Sequence, residues 1–272
     1  MNRKYNIAFT KVVASGNDFV IIDNRSGELD THDIDYSSMA RELCPRRFSV
    51  GADGLLVLEN SDKADFRMRI INPDGSEVTM CGNGARSSAL YASVNGCGEN
   101  MVIETGAGLI DAAVSGDSIR LKMSDPTDIK LGIRLGIGPT IMDVHYINTG
   151  VPHVVHLVEH LEEYPVKEMG QKIREHSLFA PEGTNADFVG EIAEGRARIR
   201  TYERGVEDET LACGTGITAS AIILGLLGQV SPPVRLQAKS GEMLTVHYNI
   251  SGKKVSDVYL EGGAIIVYEG RV

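Results

Sequence analysis

Two cysteines in this sequence stand at the start of short glycine-rich turns. Cys81 opens the run Cys-Gly-Asn-Gly and Cys213 opens the run Cys-Gly-Thr-Gly, and each run leads into an apolar stretch, 85–91 and 217–227, that predicts a helix. We therefore expect both thiols at helix N-termini. Unpaired backbone N–H groups and the positive end of the helix dipole favour negative charge there, which lowers the pKa of a thiol. Two such thiols suggest a paired acid and base.

A pair of this kind suits removal of the α-proton of an amino acid without a cofactor. That proton is very weakly acidic, so a thiolate removes it only if the developing carbanion is stabilised through the substrate carboxylate. Two helix N-termini supply backbone donors for the carboxylate, from Gly82, Asn83, Gly214 and Thr215. Inversion needs a base on one face of the carbon and an acid on the other, which one thiolate and one thiol provide. We expect no cofactor and no metal, and the four cysteines contain no Cys-x-x-Cys pair.

The bulk composition is globular and favours a small-molecule partner. The 272 residues are 42% hydrophobic and 24% charged, which suffices for one large domain or two smaller ones. The formal net charge of -10 disfavours nucleic acid and anionic membranes, which bind basic patches. The N-terminus lacks the apolar run of a signal peptide, and the longest apolar stretch is too short to span a bilayer. We expect a cytoplasmic protein.

The neighbourhoods of the two cysteines form an internal repeat. The cysteines are 213 − 81 = 132 residues apart, close to half the chain. In each half a strand and a polar loop precede the cysteine, and two further strands follow the helix. The predicted strands are 68–71, 101–105 and 109–114 in the first half and 198–202, 234–238 and 243–248 in the second. The same order of elements twice indicates duplicated domains.

The repeat also predicts the fold class. Each half offers several strands but only one convincing buried helix, so the strands must wrap around that helix. We infer an α+β or mixed α/β fold of two pseudo-symmetric domains, each with strands around a central helix. Turn-forming residues at 122–127 mark the best boundary, which gives domains 1–122 and 123–262. If a pseudo-twofold axis relates the halves, the two helix N-termini face each other across the cleft between domains, where small ligands usually bind.

Other polar and thiol residues allow both a functional and a structural interpretation. Arg204 has the fork that binds a carboxylate, and Glu203 could bind an ammonium group, although loop charges are usually only solvated. The stretch 15–19 fits an ordinary hairpin turn equally well. Cys44 and Cys97 are interpreted as structural, because a free cysteine usually behaves as a small apolar residue.

Six motifs together resemble the cofactor-independent diaminopimelate epimerases, and the resemblance covers essentially the whole chain. The motifs are 15–20, 72–77, 80–86, 183–185, 202–205 and 212–216. That family interconverts LL- and meso-2,6-diaminopimelate in lysine and peptidoglycan precursor synthesis, with two cysteines in a cleft between two similar domains. The resemblance implies that Cys81 and Cys213 are the acid and base pair.

The resemblance also implies roles for residues outside the two turns. His153 and Glu203 would modulate the thiols, although without the family His153 is interpreted as a structural residue of a strand. Tyr268 would lie at the interface of a homodimer, and the last strand, 263–272, would pack with the N-terminal domain. The implied substrate contacts come from the side chains of Asn17, Asn72, Asn185, Glu203 and Arg204 and from the backbone of Gly82, Asn83, Gly214 and Thr215.

The chain departs from the family pattern at two positions. Many members have Gln where this chain has Gly54, and Asn where it has Val151. We therefore carry no substrate contact over to Gly54 or Val151. Backbone, water or Asn148 are the candidates to replace the two side-chain contacts.

Three rival functions are weighed against this interpretation. A proline or hydroxyproline racemase of the same fold would use the same two-thiol chemistry, but those enzymes typically show Cys-Gly-His where this chain has Asn83 after Gly82. Isomerases resembling the phenazine-synthesis enzymes lack the cysteine pair. A thiol redox sensor or ligand-binding protein, with a regulatory disulfide, is the non-enzyme alternative.

Overall fold

The computed structural model describes residues 6–32, 34–193, 195–252 and 254–272. The chain divides into two compact units, one formed by Met1–Leu121 with Gly262–Val272 and the other by Lys122–Glu261. The C-terminal segment therefore belongs to the same unit as the N-terminal half. Among the described residues, no helix is long and apolar enough to cross a membrane.

Strands dominate both units. The strands of the first half of the chain are β1 (Ala8–Ala14), β2 (Asn17–Asn24), β3 (Gly54–Glu59), β4 (Phe66–Ile71), β5 (Glu77–Val78), β6 (Asn100–Thr105), β7 (Gly108–Ser115) and β8 (Ser118–Lys122). The later strands are β9 (Thr127–Ile137), β10 (Thr140–Asn148), β11 (Pro152–Leu157), β12 (Asn185–Ala193), β13 (Arg196–Glu203), β14 (Asp208–Thr210), β15 (Val234–Gln237), β16 (Met243–Ser251), β17 (Lys254–Gly263) and β18 (Ile265–Arg271).

Helices are fewer and fall at matching places in the two units. The α-helices are α1 (Tyr36–Leu43), α2 (Gly82–Ala92), α3 (Val166–Arg174) and α4 (Gly214–Leu226). Short 3-10 helices cover Glu28–His32 and Ser177–Phe179, and a π-type turn, Ser93–Cys97, follows α2. Each unit thus has one helix between two consecutive strands, β2 and β3 or β11 and β12, and one immediately after its cysteine.

The strand pairings of the first unit recur in the second. In the first, β2 and β3 are parallel, β3, β4 and β5 follow in antiparallel order, and β4 pairs in parallel with β6, which pairs antiparallel with β7. In the second, β11, β12, β13, β14, β15 and β16 repeat this pattern in the same order. The outer partner of β1 is β18, whereas the outer partner of β10 is the preceding strand β9. The predicted internal repeat is therefore a repeat of topology, except that one edge strand of the first unit comes from the end of the chain.

A buried helix lies against the strands of each unit. Helix α4 is apolar all round, and Ile217, Ile222, Ile223 and Leu224 are fully buried among residues of β11, β12, β15 and β16. Such a helix is stable only inside a core, because it has no polar face to present to water. Burial of each of these side chains contributes about 1.5–3 kcal/mol. The predicted strands around a central helix and the mixed α/β class are confirmed.

Each unit also contains a shorter helix that the sequence did not reveal. Met39 and Leu43 of α1, and Val166 and Ile173 of α3, are buried against strands, whereas the opposite faces of both helices are exposed. Gly170 allows α3 to approach β13 closely, because a Cβ atom there would lie 2.2 Å from Cβ of Tyr202. In the first unit, α1 covers the strands on the side opposite to α2. In the second unit, α3 covers the strands on the side opposite to α4.

The stretch 15–19 contains a two-residue hairpin loop. Ser15 and Gly16 have φ angles of 52° and 85°, and Ala14 pairs with Asn17 in the antiparallel ladder of β1 and β2. Positive φ at both loop positions is the conformation that fits the twist of a tight hairpin. The hairpin fixes the position of Asn17 at the start of β2.

Candidate functional site

Cys81 is the N-cap residue of helix α2. Its φ and ψ angles of −150° and 118° are extended, its carbonyl accepts the N–H of Ala85 at 2.9 Å, and its Sγ atom accepts the N–H of Gly84 at 3.4 Å. The side chain is partly exposed. The thiol therefore takes the place that Ser or Asp often occupies at a helix start.

Cys213 occupies the equivalent place on helix α4. Its carbonyl accepts the N–H of Ile217 at 2.9 Å, and its Sγ atom lies 3.4 Å from Oγ1 of Thr215. The residue is only 7% exposed. The prediction that both cysteines lie at helix N-termini is confirmed, but the glycine-rich runs form the first helical turns themselves, so the helices begin at Gly82 and Gly214 rather than after the runs.

The expected low pKa of both thiols is wrong for Cys213. Burial raises the pKa of this thiol, and the negative charges of Glu203 and Asp187 raise it further. Moving a thiolate out of water costs more free energy than the N–H groups of the helix start recover by stabilising its charge. Cys213 is therefore a thiol that needs a nearby base to ionise.

A histidine and a carboxylate lie next to Cys213. Nδ1 of His153 is 2.7 Å from Oδ2 of Asp187, and Nε2 of His153 is 2.9 Å from Oγ1 of Thr215. His153 and Asp187 are both fully buried. His153 lies on strand β11, as the sequence predicted, and its ring contacts the side chain of Thr215, two residues after Cys213.

Residues at the end of β13 also lie near Cys213. Glu203 lies close enough to His153 and Cys213 to interact electrostatically, and burial raises the pKa of its carboxyl group. The N–H of Arg204 donates to Oδ1 of Asn185 at 2.8 Å, and Nη1 of Arg204 donates to the carbonyl of Glu182 at 3.0 Å. Asn185 therefore links the start of β12 to the loop that carries Arg204.

In the first unit, polar side chains form a chain that leads to Asn17. Nη2 of Arg86 donates to Oδ1 of Asn83 at 2.8 Å, and Nδ2 of Asn83 donates to Oδ1 of Asn17 at 2.7 Å. Nδ2 of Asn17 donates to Asp53 at 3.0 Å. Each amide orients the next, so the Asn17 side chain is held beside the start of α2.

An ion-pair network supports the same region. Lys11, which is buried, lies 2.7 Å from Asp18, and Arg46 bridges Asp18 and Asp53. Burial by itself would raise the pKa of Asp18, but hydrogen bonds from Arg46 and Lys11 outweigh it and lower the pKa to about 2. Asp18 is thus ionised, and its ion pairs with Lys11 and Arg46 hold the start of β2 in place.

The remaining predicted contacts have local partners. Nδ2 of Asn72 donates to Oγ of Ser76 at 3.0 Å within the loop after β4. A Cβ atom at Gly54 would lie 3.2 Å from the carbonyl oxygen of Ile71, so the backbones of β3 and β4 approach closely at this position. The carbonyl of Val151 accepts the N–H of Thr149, and Oδ1 of Asn148 accepts the N–H of Gly150.

Two residues near Cys213 were not predicted from the sequence. Asp187 lies between Ala186 and Phe188 on strand β12, and Thr149 donates through Oγ1 to the carbonyl of Thr215 at 3.1 Å. The sequence signal that could have drawn attention to Asp187 is an aspartate between apolar neighbours in a strand, because a carboxylate buried there requires a charged or donating partner. Among the described residues, no group of three or more His, Cys, Asp or Glu side chains could hold a metal ion.

Three further residues from the sequence analysis have local contacts of their own. Cys44 is buried in the core beside α1, where burial raises the pKa of its thiol to about 11. Sγ of Cys97 accepts a hydrogen bond from Arg25 at 2.9 Å. Tyr268 on β18 is 45% exposed and packs edge-on against Phe9, with ring centroids 5.9 Å apart.

The fold is shared with two kinds of solved structure. A phenazine biosynthesis protein of the PhzF family from Bacillus anthracis matches 98% of this chain and 98% of its own, with a TM-score of 0.67 and 17% sequence identity. A hydroxyproline epimerase from Agrobacterium vitis, with trans-4-hydroxy-L-proline bound, matches 100% of this chain and 94% of its own, with a TM-score of 0.66 and 17% identity. The chain therefore has this two-domain fold; at such identities the likeness concerns the fold alone.

Sequence comparison narrows the class to one family. A sequence model of the family described as diaminopimelate epimerase matches residues 9–128 and 145–267. The diaminopimelate epimerase of Chlorobaculum tepidum is 42% identical over 264 residues, which cover 95% of this chain and 98% of that protein. The chain belongs to the diaminopimelate epimerase family, and the family predicted from the six motifs is confirmed.

Proposed function

We propose that this protein interconverts LL-2,6-diaminopimelate and meso-2,6-diaminopimelate by proton transfer at one α-carbon, without pyridoxal phosphate. The observation that carries the proposal is the matched position of the two cysteines: each caps the buried helix that follows a strand and a polar loop in its own unit. A reaction at a carbon with two faces needs two equivalent proton carriers. The proposed role is in lysine and peptidoglycan precursor synthesis, and we place it in the cytoplasm because that synthesis starts from small soluble metabolites.

The proposed chemistry divides between thiols and backbone. One cysteine, as a thiolate, removes the α-proton, and the other, as a thiol, delivers a proton to the opposite face; the roles exchange when the other isomer binds. The negative charge that develops on the substrate carboxylate is stabilised by the N–H groups of Gly82 and Asn83 and of Gly214 and Thr215, at the two helix starts. The proposal requires Cys81 and Cys213 to reach one α-carbon, with the two units acting as the two domains around a cleft.

The remaining predicted residues are proposed to recognise the rest of the substrate. The distal end of diaminopimelate carries its own ammonium and carboxylate groups, which suit a carboxylate side chain, a guanidinium and amides. We assign this recognition to Asn17, Asn72, Asn185, Glu203 and Arg204. His153 and Glu203, beside Cys213, are assigned to modulation of the thiols. A homodimer with Tyr268 in its interface is part of the same proposal, since Tyr268 lies in an exposed row with Ile265 and Val267 on β18.

A proline or hydroxyproline epimerase is the nearest alternative, because the fold is common to both. Asn83 follows the first Cys-Gly pair, and its side chain is held by Asn17 and Arg86. An amide in this network favours the diaminopimelate substrate over the alternative, whose enzymes typically place histidine there.

Incubation in deuterated water tests the proposal. Reduced protein is mixed with LL-diaminopimelate, proline or hydroxyproline in parallel, and NMR follows both the loss of the α-proton signal and the appearance of the inverted isomer. We expect deuterium incorporation and inversion with diaminopimelate only. Inversion of proline or hydroxyproline instead would support the racemase function. Absence of exchange with every substrate would favour the alternative of a thiol redox sensor or ligand-binding protein.

A further inference from the structure

A continuous row of polar atoms runs from a buried carboxylate to the Cys213 thiol. Oδ2 of Asp187 is 2.7 Å from Nδ1 of His153, Nε2 of His153 is 2.9 Å from Oγ1 of Thr215, and Oγ1 of Thr215 is 3.4 Å from Sγ of Cys213. All four residues lie in one unit, on β12, β11 and the start of α4. The proposed function gives a role to the thiol and the histidine but none to Asp187 or to the Thr215 hydroxyl.

The position of Asp187 is tightly defined. Its Oδ1 atom accepts the hydroxyl of Thr201 at 2.7 Å, while Oδ2 faces His153. A Cβ atom at Gly216 would lie 2.4 Å from Oδ1 of Asp187, so helix α4 can pass here only because this residue is glycine. The carboxylate is therefore clamped between a hydroxyl donor, the imidazole and a helix backbone.

The neighbours of His153 determine which ring nitrogen carries the proton. A carboxylate only accepts hydrogen bonds, so Nδ1 must be the N–H that faces Asp187. The amide of Asn185 gives the same answer from the other side. Its Oδ1 accepts the N–H of Arg204, so its Nδ2 donor, which also donates to the carbonyl of Pro152, is the atom 3.5 Å from Nε2. A donor beside Nε2 requires Nε2 to be the acceptor.

Once the tautomer is fixed, the direction of every hydrogen bond in the row is fixed. The hydroxyl of Thr215 donates to Nε2 of His153, which leaves a lone pair of Oγ1 facing Cys213. The thiol of Cys213 is then the donor to that oxygen. Cys213, Thr215 and His153 thus each donate to the next group in the row, and the Asp187 carboxylate is the final acceptor.

We propose that Asp187 is a positioning residue that holds His153 in the Nδ1–H tautomer, and that the Thr215 hydroxyl relays the proton between Cys213 and His153. This inference rests on the proposed two-thiol function. In the relay, the proton of Cys213 moves to Oγ1 of Thr215 while the hydroxyl proton of Thr215 moves to Nε2 of His153. The products are a thiolate, an unchanged hydroxyl and an imidazolium that Asp187 stabilises, and reversal of the step returns the proton to sulfur.

NMR of the free protein tests the tautomer without reference to activity. The ring nitrogens of the seven histidines are labelled with ¹⁵N, and the His153 signals are assigned by their loss in His153→Gln. We expect His153 to be protonated at Nδ1 in the wild type and to gain a population protonated at Nε2 in Asp187→Asn, because an amide at position 187 can donate to Nδ1 whereas a carboxylate can only accept. Protonation at Nε2 in the wild type, or an unchanged tautomer in Asp187→Asn, would overturn the role of Asp187.

Kinetics with a matched pair of variants tests the relay. Thr215→Val removes the hydroxyl and keeps the backbone N–H, whereas Thr215→Ser keeps both. We expect kcat to fall at least about 100-fold in Thr215→Val and in Asp187→Asn, and to stay within about tenfold of the wild type in Thr215→Ser, with little change in KM because the relay acts on proton transfer. Equal activity of the Val and Ser variants would overturn the relay.

The two experiments separate the inference from the function on which it rests. If the wild-type protein does not invert diaminopimelate, the proposed function fails, but the NMR result still decides the tautomer. If the wild type is active and Asp187→Asn keeps its activity, the function stands and the inference fails. Ser220→Ala, which removes a fully buried hydroxyl of α4 that takes no part in the row, serves as the control for loss of packing and is expected to keep most of the activity.

Discussion

Nδ1 of His153 lies 2.7 Å from a carboxylate oxygen of Asp187, and neither side chain is exposed to solvent. The pair is held by neighbouring strands, because His153 on β11 is directly opposite Asn185 in the parallel ladder and Asp187 follows two residues later on β12. The His153–Asp187 pair lies near Cys213, whose pKa is raised by burial. Under the proposed relay, ionisation of this thiol depends on the histidine.

This dependence predicts the reactivity of individual thiols toward a small alkylating reagent. In His153→Gln, we expect alkylation of Cys213 to slow at least about tenfold, because the glutamine cannot take up the thiol proton and only the thiolate reacts. Mass spectrometry of peptides from a time course measures the rate at each cysteine. Cys97, held by Arg25 in the other unit, is the internal control and should keep its rate. An unchanged rate at Cys213 would show that His153 does not act as its base.

The ion pairs of Asp18 predict a dependence of stability on pH. The pKa of Asp18 is lowered from 3.8 to about 2, so its contribution is complete above the unfolded-state value and is lost as the pH falls from about 4 to about 2. The shift corresponds to about 2 kcal/mol. We expect urea denaturation to show Asp18→Asn less stable than the wild type by this amount near neutral pH, with the difference shrinking across the acid range. A difference that stays constant between neutral pH and the acid end would contradict the prediction.

Two glycines at helix starts should respond differently to substitution by alanine. The added Cβ atom at Gly216 would meet Asp187 at 2.4 Å and Thr201 at 3.2 Å, whereas the one at Gly82 would meet nothing within 4 Å. We expect Gly216→Ala to lose about 1–3 kcal/mol through overpacking, and Gly82→Ala to keep its stability or gain up to about 1 kcal/mol. Thermal unfolding of both variants measures this. Equal melting temperatures would contradict the close packing at Gly216.

Oxidation tests whether the two active thiols can approach each other. If both act on one α-carbon, a mild oxidant should join Cys81 to Cys213 and abolish activity, because disulfides form between thiols whose Cβ atoms come within about 4.5 Å. Peptide mapping under non-reducing conditions identifies the linked pair, and a reductant should restore the activity. Fully inactivated, oxidised protein in which both thiols remain free would count against their proximity.

The placement of the cysteines could be predicted from the sequence because local signals determine it. An apolar run after a glycine-rich turn predicts a buried helix, and the repeat after 132 residues gave the second copy. Helices α1 and α3, of 8 and 9 residues, were not recognised, because short amphipathic helices depend on the strands that they cover.

The surroundings of Cys213 could not be predicted in the same way. Asp187 is 34 residues from His153 in sequence, and only the parallel pairing of β11 and β12 brings them together. The helix start alone predicted a low pKa for the thiol, whereas the burial that reverses the shift depends on the complete core around α4. Long-range pairing and desolvation are properties of the folded unit and leave no local pattern.

Variants in which one of the two cysteines is replaced test the two-base account most directly. In deuterated water with LL-diaminopimelate, we expect Cys81→Ala and Cys213→Ala each to lower the rate of inversion at least about 100-fold, because either change removes one of the two proton carriers. Cys97→Ala, whose thiol lies outside the proposed site, should invert the substrate at the wild-type rate. Inversion at an undiminished rate by Cys81→Ala or by Cys213→Ala would contradict the account.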